Sequence, residues 1–269
     1  CRTGDGLVVH ALIPILGSIP FLACLVMLSL LGYLGIHVLK REVIFIDIAV
    51  AQIVAVGATW AHLHFHAHED TLGYYAAGLV FALFAAAFYS FARRRITQVP
   101  LEALIGVSYA IGAAAYLFLP GVYKNAHVHV EEMLGGSILW VHTTQLLVCL
   151  AVFASVSLVF AFLHGRFARI SEDYGSADRQ ESAAALWDFL FYALLGTVIT
   201  FAVRIGGVVL VFAFLIVPAT ISACFATRWG SRLAIAWGAG ILASFLGLAF
   251  AHRLDFSVGP SVALLLGFI

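Results

Sequence analysis

Four histidines alternate with apolar residues directly after a long apolar segment. They are His62, His64, His66 and His68, and imidazole is a common ligand for zinc and other borderline metals. Positions two apart do not share a helix face, so these rings can converge on one ion only from an extended or looped backbone. A second polar loop could complete a zinc shell of three or four ligands with His127, His129, Glu131 and Glu132. The pattern predicts attraction of a metal ion; the alternative is a solvated loop with weak, adventitious affinity.

The apolar segment before these histidines contains one carboxylate and one carboxamide. Asp47 and Gln52 are five residues apart, so about 140° separates them around a helix of 3.6 residues per turn. One helix cannot close a metal shell with this pair alone, so other helices, a second subunit or a helix irregularity must contribute. An ionisable group in an apolar span usually faces a bundle interior, a cavity or a pathway. We interpret Asp47 as part of a metal path; the alternative is that it pairs with an arginine or caps backbone near the inner interface of the membrane.

The composition places these residues in a membrane protein. Of the 269 residues, 63% are hydrophobic and 10% are charged, whereas soluble domains carry about 25% charged residues. The formal net charge is zero, which provides no basic field for nucleic acid. Four scattered cysteines form neither a disulfide framework nor a CxxC metal site. The sequence has no P-loop, HExxH or GxSxG pattern, so the chain does not itself hold ATP in a P-loop.

The apolar runs predict an all-α integral membrane protein, a polytopic helical bundle of about eight to nine transmembrane helices that forms a single domain over 1–269. About 20 helical residues cross the hydrocarbon core. We therefore place spans at 21–39, 43–61, 72–92, 101–119, 142–163, 186–203, 207–226 and 233–251. A ninth begins near Gly259, and we expect the sequence to stop inside it, so that the C-terminus is truncated. We expect the sixth and seventh spans to meet at Arg204–Gly207 and Pro218 to kink the seventh.

Loop charges predict the orientation, since cytoplasmic loops are enriched in Lys and Arg. With the amino terminus outside, ten of the 14 Lys and Arg residues fall in inner loops. The histidine-bearing loops 62–70 and 120–133 then lie outside, which favours capture of metal from that side. The long segment 165–185, of mixed charge, lies inside and suits a short amphipathic helix that docks a cytoplasmic partner. Glu102 and Asp188 lie near span ends, where we expect them to reach lipid headgroups.

Three stretches, in order along the chain, carry a family resemblance. They are Gly35–Asp47, Val203–Ala219 and Leu254–Pro260, and together they resemble the conserved regions of metal-type ABC transporter permeases, the membrane subunits of zinc, manganese and iron importers. The resemblance implies a homodimer with a second permease copy, cytoplasmic ATPase subunits and an extracytoplasmic metal-binding protein. It also implies that the inner segment contains the coupling helix, in which we select Glu172, Asp173, Tyr174 and Gly175.

The resemblance also concerns the transported metal. In the family, the carboxylate that matches Asp47 is followed four residues later by a histidine, and the two help to line the metal path. Here that later position is Ala51, with Gln52 beside it. This sequence thus has the carboxylate of the family pattern, at Asp47, but not the histidine. The carboxamide oxygen of Gln52 is a harder, weaker ligand than imidazole. The outer histidines favour zinc over manganese or iron.

We therefore predict the permease subunit of an ATP-driven importer of a divalent transition metal, with zinc favoured. We expect a multi-pass protein of the cell membrane that is not an enzyme, has no permanently bound cofactor and binds no nucleic acid. One alternative is an integral membrane metalloenzyme with His62–His68 as its metal centre, which would need ligands at helical spacing or a catalytic glutamate. Another is a secondary metal carrier, which would exchange metal for protons without an ATPase.

Overall fold

The computed structural model describes residues 18–65, 72–122, 138, 141–172, 174, 182–254 and 256–269. Within them the chain forms eight α-helices: α1 (Ile19–Lys40), α2 (Ile46–Phe65), α3 (Leu72–Arg95), α4 (Leu101–Val122), α5 (Thr143–Glu172), α6 (Ser182–Phe225), α7 (Trp229–Leu254) and α8 (Val258–Phe268). Seven of these described helices, α1 to α7, are long and apolar enough to cross a membrane. The prediction of an all-α polytopic membrane protein is confirmed; its orientation stays a prediction.

A tight turn joins α1 to α2. Glu42 has a φ of 55°, and its N–H donates to the carbonyl of Leu39, while the N–H of Val43 donates to the carbonyl of Val38, both at 3.3 Å. These two bonds form a Schellman motif, which ends a helix with one left-handed residue. Helix α2 therefore begins at Ile46, three residues after the predicted start of the second span.

Helix α6 contains the predicted junction of the sixth and seventh spans. A straight helix of its 44 residues would be about 66 Å long, roughly twice the thickness of the hydrocarbon core. Gly207 interrupts it with φ 74° and ψ 164°, a backbone region that is essentially restricted to glycine. The break is therefore at Gly207, and Pro218, where the sequence predicts a kink, lies in the helical part after it.

The chain divides into two compact units. The first unit comprises 1–36, 131–154 and 202–269, and the second comprises 37–130 and 155–201. In the first unit, a Cβ on Gly35 would clash with the carbonyl oxygen of Leu215, and one on Gly240 would clash with a Leu28 methyl. Small residues therefore let helices α1, α6 and α7 approach closely there, as is common between membrane helices.

In the second unit, α2 packs against α3 and α4. A Cβ on Gly57 would lie 2.5 Å from the Phe81 ring of α3, and one on Gly112 of α4 would lie 3.0 Å from the Cβ of Gln52. These contacts bury most of one long side of α2, including Asp47 and Gln52. Both polar residues singled out from the sequence therefore lie inside the protein. That the whole chain is one domain stays a prediction.

Replacement of Gly207 by alanine should destabilise the protein. Because a side chain at φ 74° and ψ 164° is strained, we expect Gly207→Ala to lower the free energy of unfolding by about 1–3 kcal/mol. Unfolding in detergent measures the loss. Gly106→Ala is the matched control, since a Cβ there meets nothing within 4 Å and alanine favours a helix by about 1 kcal/mol. Equal effects of the two substitutions would contradict a special role for Gly207.

Candidate functional site

Asp47 is a buried acid in the first turn of α2. Its residue surface is 2% exposed, and its Oδ1 atom has no hydrogen-bond partner in the described part of the chain. The ion pairs found among the described residues do not include it, and the charged side chain that acts on it is another acid, Glu102 of α4. The backbone N–H groups of Asp47 and Ile48 hydrogen-bond to its carboxylate, as the backbone-capping alternative expects. No arginine neutralises it among the described residues, and a buried charge without a charged partner is expensive.

Gln52 lies one and a half turns further along α2 and is 4% exposed. Its Cβ lies beside Gly112, where α4 comes close to α2. The two predicted path residues thus both lie near α4, although they do not share one stripe of α2. Among the residues that the structure describes, no three His, Cys, Asp or Glu side chains are grouped closely enough to hold a metal ion.

Helix α2 continues through the first two histidines of the predicted loop. His62 and His64 are exposed in its last turn, and the His64 ring stacks on Trp60 with centroids 5.4 Å apart. Because α2 stays helical to Phe65, the looped backbone predicted for this pair is wrong. Residues two apart on a helix point in different directions. The other predicted ligands lie outside the described residues: His66, His68, His127, His129, Glu131 and Glu132.

A second charged group in the same unit was not predicted. Asp188 of α6 is completely buried and forms ion pairs with Arg41, at the end of α1, and Arg93, in the last turn of α3. The bond from Arg41 Nη1 to Asp188 Oδ1 is 2.9 Å long, and Arg93 Nη1 donates to Oδ2. One carboxylate thus joins the ends of three helices, and we call these three residues the arginine clamp.

Aromatic and hydroxyl groups complete the surroundings of the arginine clamp. The guanidinium carbon of Arg41 lies 3.9 Å from the Phe191 ring centroid, and that of Arg93 lies 3.6 Å from the Tyr174 ring centroid. Arg41 Nε also donates to Ser171 Oγ at 3.0 Å. Aromatic faces attract cations, more strongly where water is excluded. These contacts offset part of the cost of burying two arginines beside one acid.

The predicted coupling residues lie next to the arginine clamp. Glu172 ends α5 and forms an ion pair with Lys40 at 3.0 Å. The carbonyl oxygen of Tyr174 accepts a hydrogen bond from Arg93 Nη2 at 2.9 Å. The Tyr174 hydroxyl lies 2.5 Å from the Tyr192 hydroxyl. Desolvation, reinforced by the Asp188 charge, raises the pKa of Tyr174, so this hydroxyl stays neutral.

Asp173 and Gly175 lie outside the described residues. Their described neighbours nevertheless connect this end of α5 to the ends of α1 and α3 through Lys40 and Arg93. Tyr174, the described residue between α5 and α6, is therefore attached to the arginine clamp.

The expectation that Asp188 reaches lipid headgroups is wrong, because its side chain is fully enclosed between the two arginines. The sequence does contain a signal for the clamp. A single acid inside an apolar span requires a compensating partner, and Arg41 and Arg93 stand at the ends of two other spans. Glu102 is half-buried at the start of α4 and accepts a hydrogen bond from the Phe45 N–H at 3.0 Å, so it caps the turn before α2.

Comparison with known proteins identifies the family. The model of the ABC 3 transport family matches residues 19–269, nearly the whole chain. The chain belongs to this family. Among its relatives, a probable metal transport system membrane protein of Chlamydia pneumoniae is 26% identical over 259 residues, covering 94% of this chain and 87% of the relative. The manganese import system permease protein ScaB of Streptococcus parasanguinis is 24% identical over 233 residues, covering 87% and 80%.

Two solved structures have a similar fold. PsaBC from Streptococcus pneumoniae in complex with Fab has a TM-score of 0.78 at 20% identity, over 97% of this chain and 93% of that chain. A metal-chelate type ABC transporter in an inward-facing conformation has a TM-score of 0.65 at 20% identity, over 91% and 81%. The resemblance to metal-type ABC permeases is confirmed. This member of the ABC 3 transport family is a membrane permease subunit for metal transport and not an enzyme.

Removal of the Asp188 carboxylate should destabilise this permease strongly. Asp188→Ala leaves two buried guanidinium groups without their acid, and loss of one partner of a buried pair costs about 3–5 kcal/mol. Unfolding in detergent measures the loss. The control is Lys40→Gln, which breaks a partly exposed pair that should contribute less than about 1 kcal/mol.

A triple variant separates the charge from the packing. Arg41→Met, Asp188→Leu and Arg93→Met together remove all three charges, and apolar replacement of a buried ion group is often neutral or stabilising. We expect it to recover most of the stability lost in Asp188→Ala. An Asp188→Ala protein as stable as Lys40→Gln would show that the arginine clamp does not hold these helices together.

Proposed function

We propose that this chain is the permease subunit of an ATP-driven importer of a divalent transition metal, and that the metal passes Asp47. The observation that carries the proposal is a buried carboxylate with one unpartnered oxygen in a chain of a metal-transport family. A passing cation would supply the opposite charge that the described surroundings of Asp47 lack. The other buried acid of the same unit, Asp188, is already paired with Arg41 and Arg93. It therefore serves to hold the helices together and not to bind the transported metal.

The proposed assembly contains a second permease copy, cytoplasmic ATPase subunits and an extracytoplasmic metal-binding protein, in the cell membrane with the amino terminus outside. In it, ATP binding and hydrolysis on the partner chains move the segment that contains Glu172, Asp173, Tyr174 and Gly175. The bonds from Tyr174 to Arg93 and from Glu172 to Lys40 support this role, because they attach the segment to two other helices. The movement would tilt these helices and switch access to Asp47 from outside to inside.

The identity of the metal has two candidates. The outer histidines, of which His62 and His64 are exposed at the end of α2, support zinc, because imidazole suits that ion. The oxygen donors of Asp47 and Gln52 support manganese instead, since carboxylate and carbonyl ligands suit it; the relative ScaB is named a manganese import permease. We propose that the histidine loops gather either ion and that the buried oxygen donors favour manganese over zinc during passage.

Removal of the charge at position 47 should abolish transport. Asp47→Asn keeps the shape of the side chain but removes the charge that attracts a divalent cation, so we expect uptake to fall by a factor of about 100 or more, which corresponds to roughly 3 kcal/mol. The measurement is ATP-dependent uptake of radioactive metal into vesicles that contain the permease, its ATPase and its binding protein.

The matched control for this substitution is Glu102→Gln. It makes the same acid-to-amide change on the neighbouring carboxylate, and the amide oxygen can still accept the hydrogen bond from Phe45. We expect near-normal uptake. Equal loss in both variants would mean that negative charge near α4, and not Asp47 itself, matters. Uptake that persists without the ATPase would reject the ATP-driven importer.

Competition between metals should distinguish the two candidate cargoes. In the same vesicles we expect a tenfold excess of manganese to suppress uptake of labelled manganese strongly, and an equal excess of zinc to suppress it less, because the path donors are oxygens. Uptake of labelled zinc is measured in parallel, with calcium as the control competitor. Faster uptake of zinc than of manganese at equal free concentrations would restore zinc as the cargo.

A further inference from the structure

An open cavity of about 400 Å³ lies between the last turns of α3 and the first turns of α6. Its lining combines apolar side chains with two cations: Ala87, Phe91, Arg94, Arg95, Leu186 and Phe189. A volume of this size is typical of small-molecule sites. The arginine clamp and the Asp47 path do not use any of these six side chains.

The walls of the cavity are fixed to each other. Ser90 Oγ of α3 donates a hydrogen bond of 2.8 Å to the carbonyl oxygen of Ala185 in α6. The ion pair between Arg93 and Asp188 joins the same two helices. The cavity is therefore a built feature of this helix pair and does not depend on a loop.

An exposed aromatic stripe leads along α3 to the cations. Phe84, Phe88 and Phe91 are 67%, 46% and 60% exposed, and with Arg95 they follow the i, i+4, i+7, i+11 spacing of one helix face. The Arg95 guanidinium lies 6.0 Å from the centroid of the Phe91 ring. The 24 residues of α3 extend about 36 Å. This is enough to carry Arg94 and Arg95 past the roughly 30 Å hydrocarbon core to the headgroup level.

We propose that this cavity binds an anionic phospholipid. The acyl chains would lie along the phenylalanine stripe and over Leu186, which is 65% exposed, and the phosphate would lie between Arg94 and Arg95. Basic pockets between membrane helices bind anionic headgroups, and guanidinium groups match phosphate in shape and charge. A lipid fits this surface better than a protein partner does. The apolar stripe and the two cations follow one another along α3, in the same order as the acyl chains and the phosphate of a lipid in the membrane.

The bound lipid would also stabilise the contact between α3 and α6. It would cover the exposed side of this helix pair, whose buried side is joined by Arg93 and Asp188. The site is therefore expected to stabilise the permease by preferential binding to the folded state, and this effect does not require that the proposed metal path be correct.

The test is native mass spectrometry of the purified permease from nanodiscs that contain equal amounts of phosphatidylglycerol and phosphatidylcholine. We expect retained phosphatidylglycerol on the wild-type protein. In the double variant Arg94→Gln, Arg95→Gln its retention should fall by roughly tenfold or more, because each cation near an anionic headgroup contributes favourably. Arg228→Gln, which removes an exposed arginine outside the cavity, is the control and should keep the lipid.

A second pair of variants tests the cavity with all charges kept. Ala87 is an exposed lining residue, so Ala87→Trp should fill the space and reduce phosphatidylglycerol retention, whereas Ala110→Trp, at an exposed position of α4, should not. Thermal unfolding in the absence of added lipid checks that all four proteins are folded. Thermal stabilisation by added phosphatidylglycerol should be present in the two controls and absent in the two cavity variants.

Three results would overturn the proposal. The first is equal lipid retention in wild type and both cavity variants, which would indicate only bulk lipid around the helices. The second is equal loss in Arg228→Gln, which would indicate a non-specific charge effect. The third is unchanged lipid retention with loss of the permease dimer or of ATPase binding in the cavity variants, which would make this surface a protein interface.

Discussion

The pairing of one buried acid with two buried arginines is the constraint on which the second unit depends. Asp188 has no exposed surface and neutralises only one of the two cations beside it. The remaining positive charge is compensated by the Phe191 and Tyr174 rings, by Ser171 Oγ and by the carbonyl of Tyr174. Charges in a medium of low dielectric constant interact strongly and are costly when separated. The ends of α1, α3 and α6 therefore cannot move apart independently.

The two buried acids of this unit illustrate opposite uses of the same side chain. Asp188 lies where three helix ends bring two guanidinium groups to its carboxylate, and this geometry leaves no oxygen for a transported ion. Asp47 lies in the first turn of α2, near Glu102 and without a cation among its described neighbours. Burial alone therefore does not distinguish a structural acid from a candidate transport acid. The presence or absence of a built-in counter-charge does.

Much of the fold could be predicted from the sequence, because apolar runs of about 20 residues report membrane helices directly. The position of the break in α6 was also predictable, since consecutive glycines stand between two apolar runs and Gly207 adopts a conformation that other residues avoid. The extension of α2 over His62 and His64 was not predictable, because alternating histidines have no helical period. The arginine clamp was missed for another reason. Arg41, Arg93 and Asp188 are far apart in sequence, and only tertiary packing shows that three span ends meet at one carboxylate.

The turn between α1 and α2 gives this arrangement a mechanical consequence. Arg41, held by Asp188, and Asp47 are separated by only six residues, which can span at most about 20 Å. The intervening backbone is fixed at Glu42 by its left-handed conformation and at Phe45 by the Glu102 carboxylate. Such a stiff linker has little slack to absorb a displacement. A displacement of Arg41 would therefore displace Asp47 as well.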